Sequence, residues 1–415
     1  MKNSKLNIHY MYLIPLLLIQ VFTTIFMVTI MNVEDYGVYT LYQTTINFLY
    51  IITAGVPDGY ILKNRSKTKA EIGGVARLLY TYLATMLISF VIGTIVINVV
   101  NLDEMYVYAM CAASIMGIYQ LTQSIFRNLN EAHKQNIYLI ASRLIFVADG
   151  FYYLASGDIK QMFSFDLVLR TIFVTIAFIH VLIDYRKNDQ VGDSYKNYAR
   201  VGLLIMISNT VFNMTMMVDK YALAKDLESL GLYSVAITIV IMIRVIITPL
   251  NQVLFVTLDE HQDINAYTKK LVLFIISCFI LMVPAIFIGK YLIINIAIFN
   301  KYIDAIGVIA ITMLMIPLMV PLESLVVNLG KLKNSRSFFI KSIIIACLYI
   351  IVLFGYTSTV GASLSVYALL VVGCYFASFI IYSYDIFSKQ QMQIIYSLYG
   401  ILLVIYLIII KLFIV

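Results

Sequence analysis

Three arginines sit inside long apolar runs: Arg143 in LIASRLIFVADG, Arg170 in FSFDLVLRTIFVTIAF and Arg244 in LGLYSVAITIVIMIRVIITPL. A cation held at mid-helix in hydrocarbon costs about 2.5–3.5 kcal/mol on insertion scales, so such a residue faces a partner, a cavity or a ligand. A guanidinium stays charged and can grip a phosphate through two parallel N–H bonds. The chemistry that Arg244, Arg143 and Arg170 suit is therefore the binding of an anionic, phosphate-bearing substrate. Each also has a plainer role. Asp166 precedes Arg170 by one helical turn, which favours a structural ion pair. Arg143 can snorkel to the near interface, whereas Arg244 has Val240 and Thr248, and no acid, one turn away on either side.

A second set is acidic. Asp149 falls in the same run as Arg143, Asp58 follows Pro57, and Glu323 follows Pro321. Intramembrane carboxylates are ion-coupling candidates, able to carry a proton or Na⁺ through a transport cycle. Asp219-Lys220 reads instead as an exposed interfacial ion pair, worth little.

Catalytic patterns are missing. No G-x-x-x-x-G-K-[ST] loop occurs, Gly330-Lys331 being an isolated pair. The four histidines, His9, His133, His180 and His261, are scattered without H-E-x-x-H spacing, and His180 reads as a core residue. Cys111, Cys278, Cys347 and Cys374 lie in apolar runs without C-x-x-C spacing, as small buried hydrophobes do. We expect no catalytic residue, no metal ligand and no cofactor beyond a coupling H⁺ or Na⁺; the chain does not read as an enzyme.

The elements that must position these charges follow from composition. Of 415 residues 62% are apolar and 12% charged, with a mean hydropathy of +0.92. Soluble domains average about half apolar and a quarter charged, so this is an integral membrane protein. Taking about 20 apolar residues per span, helices are expected near 8–31, 38–61, 75–100, 105–127, 136–155, 163–184, 199–219, 231–257, 271–289, 303–327, 338–356, 361–384 and 393–414. The first is read as an uncleaved span, since its run ends in Asn-Val-Glu-Asp without an Ala-x-Ala-like site. The last could cross the membrane or lie on it. The net charge of +7 is a topology signal rather than a nucleic-acid footprint. Twenty of the 29 basic residues fall on the side of the N-terminus and six on the other, which places the N-terminus in the cytoplasm. Connections are short, leaving no room for an extramembrane catalytic domain.

A repeat organises the spans. Glu34-x-x-Gly37-x-Tyr39 returns 194 positions later as Glu228-x-x-Gly231-x-Tyr233, opening the second span and then the eighth. Six spans separate the copies, an even number, so both face the same way. Pro57 and Pro249 follow at similar offsets and are expected to kink the two spans, with Gly37, Pro57, Gly231 and Pro249 as hinge candidates. The expected fold is all-α and polytopic: two six-helix bundles related by a pseudo-twofold axis normal to the membrane. Residues 1–190 form the first lobe, 191–390 the second and 391–415 an extra C-terminal helix.

The N-terminal helix followed by EDYGVYTLYQ, the stretch ITAGVPDGYILKNRSK, VDKYALAKDLESLGLYSVA and Asn300-Lys301-Tyr302-Ile303-Asp304-Ala305 resemble the polysaccharide flippases of the multidrug/oligosaccharidyl-lipid/polysaccharide exporter superfamily. The resemblance spans roughly residues 1–385. It implies a bacterial inner-membrane flippase moving undecaprenyl-diphosphate-linked repeat units of O-antigen, capsule or exopolysaccharide by alternating access. The implied partners are the lipid-linked oligosaccharide and membrane lipids, with a polysaccharide polymerase and other assembly proteins, and no nucleic acid. A drug/cation antiporter of the same superfamily is the alternative, and a membrane polymerase or glycosyltransferase a more distant one. Members have twelve or fourteen helices, so thirteen is a departure.

Overall fold

The computed structural model describes residues 2–63, 104–128, 132–185, 217–255, 264–319, 335–359, 363–384 and 386–413, with scattered positions at 82–91, 203–215 and 321–325. The described residues are helical throughout: α1 Lys2–Ile30, α2 Val33–Lys63, α3 Glu104–Asn128, α4 Ala132–Ser156, α5 Ile159–Tyr185, α6 Val218–Ala222, α7 Leu227–Phe255, α8 Ile264–Asn295, α9 Ala305–Thr312, α10 Ser335–Thr357, α11 Leu364–Ser383 and α12 Lys389–Phe413. Most of the third and seventh expected spans, and Glu323, lie outside the described residues. Six of the described helices are long and apolar enough to cross a membrane, Lys389–Leu412 among them.

The chain divides into two compact units. One comprises Met1–Ile30 and Tyr39–Met217, the other Met31–Val38 and Val218–Val415. In the first, α5 lies along α3 and α4, and α4 packs on α1. A Cβ added to Gly150 would come within 2.5 Å of the Phe26 ring, so the missing side chain is what lets α1 and α4 approach beside Asp149. His180 is a core residue, as expected, with Nδ1 2.9 Å from the Tyr138 hydroxyl and its ring edge-on to Phe126.

In the second unit α9 packs against α7 and α11, and α10 against α11. The expected span 303–327 is interrupted: α9 tightens into a 3₁₀ turn at Met313–Met315. Pro317 explains this, because its missing N–H frees the carbonyl of Met313 and its ring crowds that turn. The C-terminal helix braces this region. Tyr399 and Tyr406 of α12 donate to the carbonyls of Leu314 and Ala310 at 3.0 and 2.9 Å, and both rings stand edge-on to Phe279 of α8. Helix α12 is thus built into the second unit, its tyrosines inward and Ile394, Ile401 and Val404 exposed. Cys347, expected to be buried, is exposed on α10.

The repeated motif proves to be a pair of capped helix starts that cross. Asn32 accepts the backbone N–H of Asp35 at 2.7 Å, and Asp226 that of Ser229 at 3.1 Å; these are N-caps at equivalent places in the two copies. Beyond the caps the contact is reciprocal. A Cβ on Gly37 would stand 2.3 Å from the Leu227 carbonyl oxygen, and one on Gly231 would stand 2.0 Å from that of Val33. Only glycine permits backbones this close. The Tyr36 hydroxyl bonds Thr238 at 2.9 Å, and Lys301 donates to the Met31 carbonyl, so residues 31–38 are held within the second unit while the rest of α2 belongs to the first. Pro57 and Pro249 lie within α2 and α7, their side chains outside the described residues.

Gly37→Ala and Gly231→Ala are each expected to destabilise the purified protein by about 1–3 kcal/mol, the usual cost of overpacking. The pair combined should cost less than the sum, since both strain one crossing. Gly289→Ala, where an added methyl meets nothing within 4 Å, should leave the melting temperature unchanged or raise it.

Candidate functional site

The charges collect in the first unit. Helix α5 carries Asp166 and Arg170 one turn apart, and the pair forms as expected: Arg170 Nε lies 2.7 Å from both Asp166 oxygens, with the two residues 1% and 2% exposed. Helix α2 completes the pair from the side. Tyr42 donates its hydroxyl to Asp166 Oδ2 at 2.7 Å and stacks on Phe163, while Gln43 Oε1 accepts from Arg170 Nη2 at 3.4 Å. Removing two charges from water costs several kcal/mol per ion, and the extra hydrogen bonds offset that cost here.

Helix α4 contributes the charges that are not satisfied. Arg143 is half-buried; its Nε is closed off with no partner in the protein, and its guanidinium lies 5.8 Å from the Phe146 ring centre. Arg170 approaches the same ring at 5.2 Å, so one phenylalanine gathers both cations. Tyr39, Tyr50 and Tyr119 are electrostatic neighbours of Arg143, and Tyr119 in turn donates to Ser142 at 3.4 Å. Asp149 is 1% exposed and neither of its oxygens meets a donor; the Asp166 carboxylate stands within hydrogen-bonding reach, where only a shared proton could join the two, and Arg170 is a further electrostatic neighbour. Two carboxylates thus share the one guanidinium that is bonded to either.

Three amides that the sequence did not single out are also unsatisfied in the first unit. Gln43 Nε2, Gln123 Nε2 and Asn136 Nδ2 are buried donors without partners in the protein. The bond from Arg170 fixes the Gln43 amide, so that its nitrogen is the end left over. Each buried, unsatisfied donor costs about 1–3 kcal/mol.

Of the remaining candidates, Arg244 lies in α7 and Asp58 in α2, with their side chains outside the described residues; Glu323 is outside them altogether. The structure therefore brings together Arg143, Arg170 and Asp149. Asp219 differs from expectation. It is 4% exposed rather than an exposed ion-pair member, and Tyr233, the tyrosine of the second motif, donates to its Oδ2 at 2.6 Å. Tyr367 donates to its carbonyl and meets Tyr233 edge-on at 5.5 Å.

No family model matches the sequence, and no curated protein matches it significantly. Solved structures do match the fold. A structure of the lipid II flippase MurJ, in an inward closed conformation, aligns with a TM-score of 0.71 at 12% identity, over 96% of this chain and 92% of that one. An inward-facing multidrug resistance MATE family transporter of the MOP superfamily aligns at 0.61 and 13% identity, over 92% and 96%. The Vibrio cholerae MATE transporter VcmN in its bent form aligns at 0.54 and 10% identity, over 92% and 97%. The chain shares its fold with these solved transporter structures. That fold is all-α and multi-pass, in agreement with the sequence.

Asp166→Asn should destabilise the protein by about 3–5 kcal/mol, because it leaves the Arg170 charge buried and uncompensated. Adding Arg170→Gln should restore much of the loss. Melting curves of the three variants in detergent measure both effects.

Proposed function

We propose that the protein is a flippase that moves a lipid-linked, diphosphate-bearing oligosaccharide across the bacterial inner membrane for O-antigen, capsule or exopolysaccharide synthesis. The observation that carries this reading is Arg143: a half-buried arginine in a transporter-type fold, its Nε enclosed and unspent, beside a second arginine on a shared phenylalanine. A prenyl tail can stay in lipid, but a diphosphate and a sugar need a polar route. Arg143 supplies free charge for the diphosphate. Arg170, whose Nε is held by Asp166, presents only its terminal nitrogens, and Arg244 joins them as the third substrate contact.

Asp149 serves as the coupling group. A buried carboxylate without a donor is costly when ionised alone, and exchanging a proton or Na⁺ there links ion entry to the head-group site. Asp58 and Glu323 are further coupling candidates on the sequence alone. Transport requires that cargo or ion bind one conformation better than the other. On this reading the N-terminus is cytoplasmic, as the basic residues of the sequence suggest, and a polysaccharide polymerase and other assembly proteins would take the exported unit.

Asp149 also favours a second reading, a drug/cation antiporter, since an unpaired buried carboxylate attracts cations. Vesicles containing the purified protein separate the two. The flippase reading expects transfer of a lipid-diphosphate oligosaccharide, no uptake of a cationic dye, and loss of transfer in Arg143→Gln protein that inserts normally. Dye uptake with no lipid transfer would overturn it. Collapsing the proton and sodium gradients separately identifies the ion, and Asp149→Asn should make transfer indifferent to both.

A further inference from the structure

We propose that the connector between α8 and α9 is not a solvated loop but a foot immersed in the membrane, its isoleucines set among lipid acyl chains where these meet the headgroups. The sequence leaves residues 290–302 as a connection between two expected spans. The structure instead carries α8 on to Asn295 and follows it with a 3₁₀ helix, Ala297–Tyr302. Backbone immersed in lipid must find its hydrogen bonds within the protein, because hydrocarbon offers none. The end of α8 meets that condition. A helix leaves its last four carbonyls without partners of its own. Here Leu292 receives the N–H of Ile296 at 3.0 Å, and the Asn300 amide, turned so that its nitrogen faces acceptors, donates to Ile293 and Ile294 at 2.7 and 3.2 Å. Asn295 returns its own amide to the Tyr291 carbonyl at 2.8 Å. Further on, Phe299 donates to Ile296 at 2.9 Å and Ile303 to Asn300 at 3.2 Å. A solvated connector can leave such carbonyls to water; this one spends two exposed asparagines on them.

The side chains divide to match. Ile293 and Tyr302 are buried, whereas Tyr291, Ile294, Ile296, Ile298 and Ile303 are open, Tyr291 at 66% and Ile298 at 56%. This apolar strip continues the outward side of α8, where Ile280, Leu281 and Ile288 are exposed within the apolar span Tyr267–Asn295. Depth follows from length. Lys270 and Lys290 are twenty residues apart, about 30 Å along a helix, which is the thickness of the hydrocarbon layer. Residues beyond Lys290 therefore lie at the headgroup boundary. The two charges that follow suit that level: Lys301, which donates to the Met31 carbonyl and so ties the foot to residues 31–38 of the same unit, and Asp304, which opens α9. An apolar strip at this depth answers acyl chains rather than a soluble partner, since it runs on without a break from the side of α8 that lipid covers.

The chain holds no tryptophan, so a single one introduced reports alone. Ile298→Trp and Ile303→Trp, in the full-length protein in vesicles, are compared with Leu281→Trp, midway between the two lysines, and with Lys225→Trp in the exposed connection before α7. Phosphatidylcholine brominated near the headgroup end or near the methyl end of its acyl chains quenches at two depths, and iodide quenches from the water. Both connector variants should emit at short wavelength and lose most of their emission to the shallow bromines, little to the deep ones and little to iodide. Leu281→Trp should answer to the deep bromines, and Lys225→Trp to iodide alone. If one connector variant fails to insert, the other carries the test. A connector tryptophan that iodide reaches and neither bromine quenches overturns the proposal and gives the strip to solvent. One shielded from iodide and from both bromines overturns it in favour of a protein partner. Deep quenching in place of shallow overturns the assigned depth. None of these results depends on which cargo the protein carries.

Discussion

The buried Asp166–Arg170 pair sets the terms for the rest of the first unit. Two charges can be held in an apolar bundle only if nearly every hydrogen-bonding position they offer is answered. Here both carboxylate oxygens meet Nε at 2.7 Å, Tyr42 reaches in from α2, and Gln43 takes a terminal nitrogen. That closure fixes α2 against α5 and orients the Gln43 amide. It also makes the neighbouring groups informative. Asp149 and Arg143 lie in the same polar region and are not closed off in this way, so the packing that satisfies one ion pair leaves one carboxylate and one guanidinium unspent. The proposed function gives that imbalance a use, as a region that handles ions and phosphates in a chain with 62% apolar residues.

The second unit spends its polar groups differently. Its buried carboxylate, Asp219, is satisfied by the Tyr233 hydroxyl and by the backbone N–H of Lys220 at 2.9 Å. The tyrosines of α12 answer backbone carbonyls around the 3₁₀ turn. Tyrosine suits both tasks, since its ring packs in an apolar interior while its hydroxyl bonds at a fixed reach. The chain holds 32 tyrosines and no tryptophan, and Tyr233, Tyr367, Tyr399 and Tyr406 serve as buried packing and bonding groups.

Much of this was legible in the sequence. Runs of about twenty apolar residues located the long described helices, with ends off by up to seven positions at the start of α8, because hydrocarbon thickness imposes that length. The four-residue step from Asp166 to Arg170 gave the ion pair, and the 194-residue repeat marked two equivalent helix starts. What could not be read depends on neighbours distant in the chain. Gln43, Gln123 and Asn136 are ordinary letters until packing buries their amide nitrogens without partners. The burial of Asp219 needs Tyr233 and Tyr367. Residues 31–38 belong with the second unit only because Gly37 and Gly231 cross without side chains, a contact that neither motif states by itself. The break at Met313–Met315 could have been anticipated from Pro317, which the span count passed over.

The central claim is that the polar interior of the first unit, around Arg143, receives the anionic head group. Photo-crosslinking from inside that unit tests it most directly: a benzophenone amino acid in place of Phe146, compared with one in place of Leu144, which is 51% exposed on the outer face of α4. The account predicts that a radiolabelled lipid-diphosphate oligosaccharide crosslinks through its head group from position 146 and only through its prenyl tail from position 144. Head-group crosslinks from 144 alone, or none from 146 in a protein that still transfers the lipid, would contradict it.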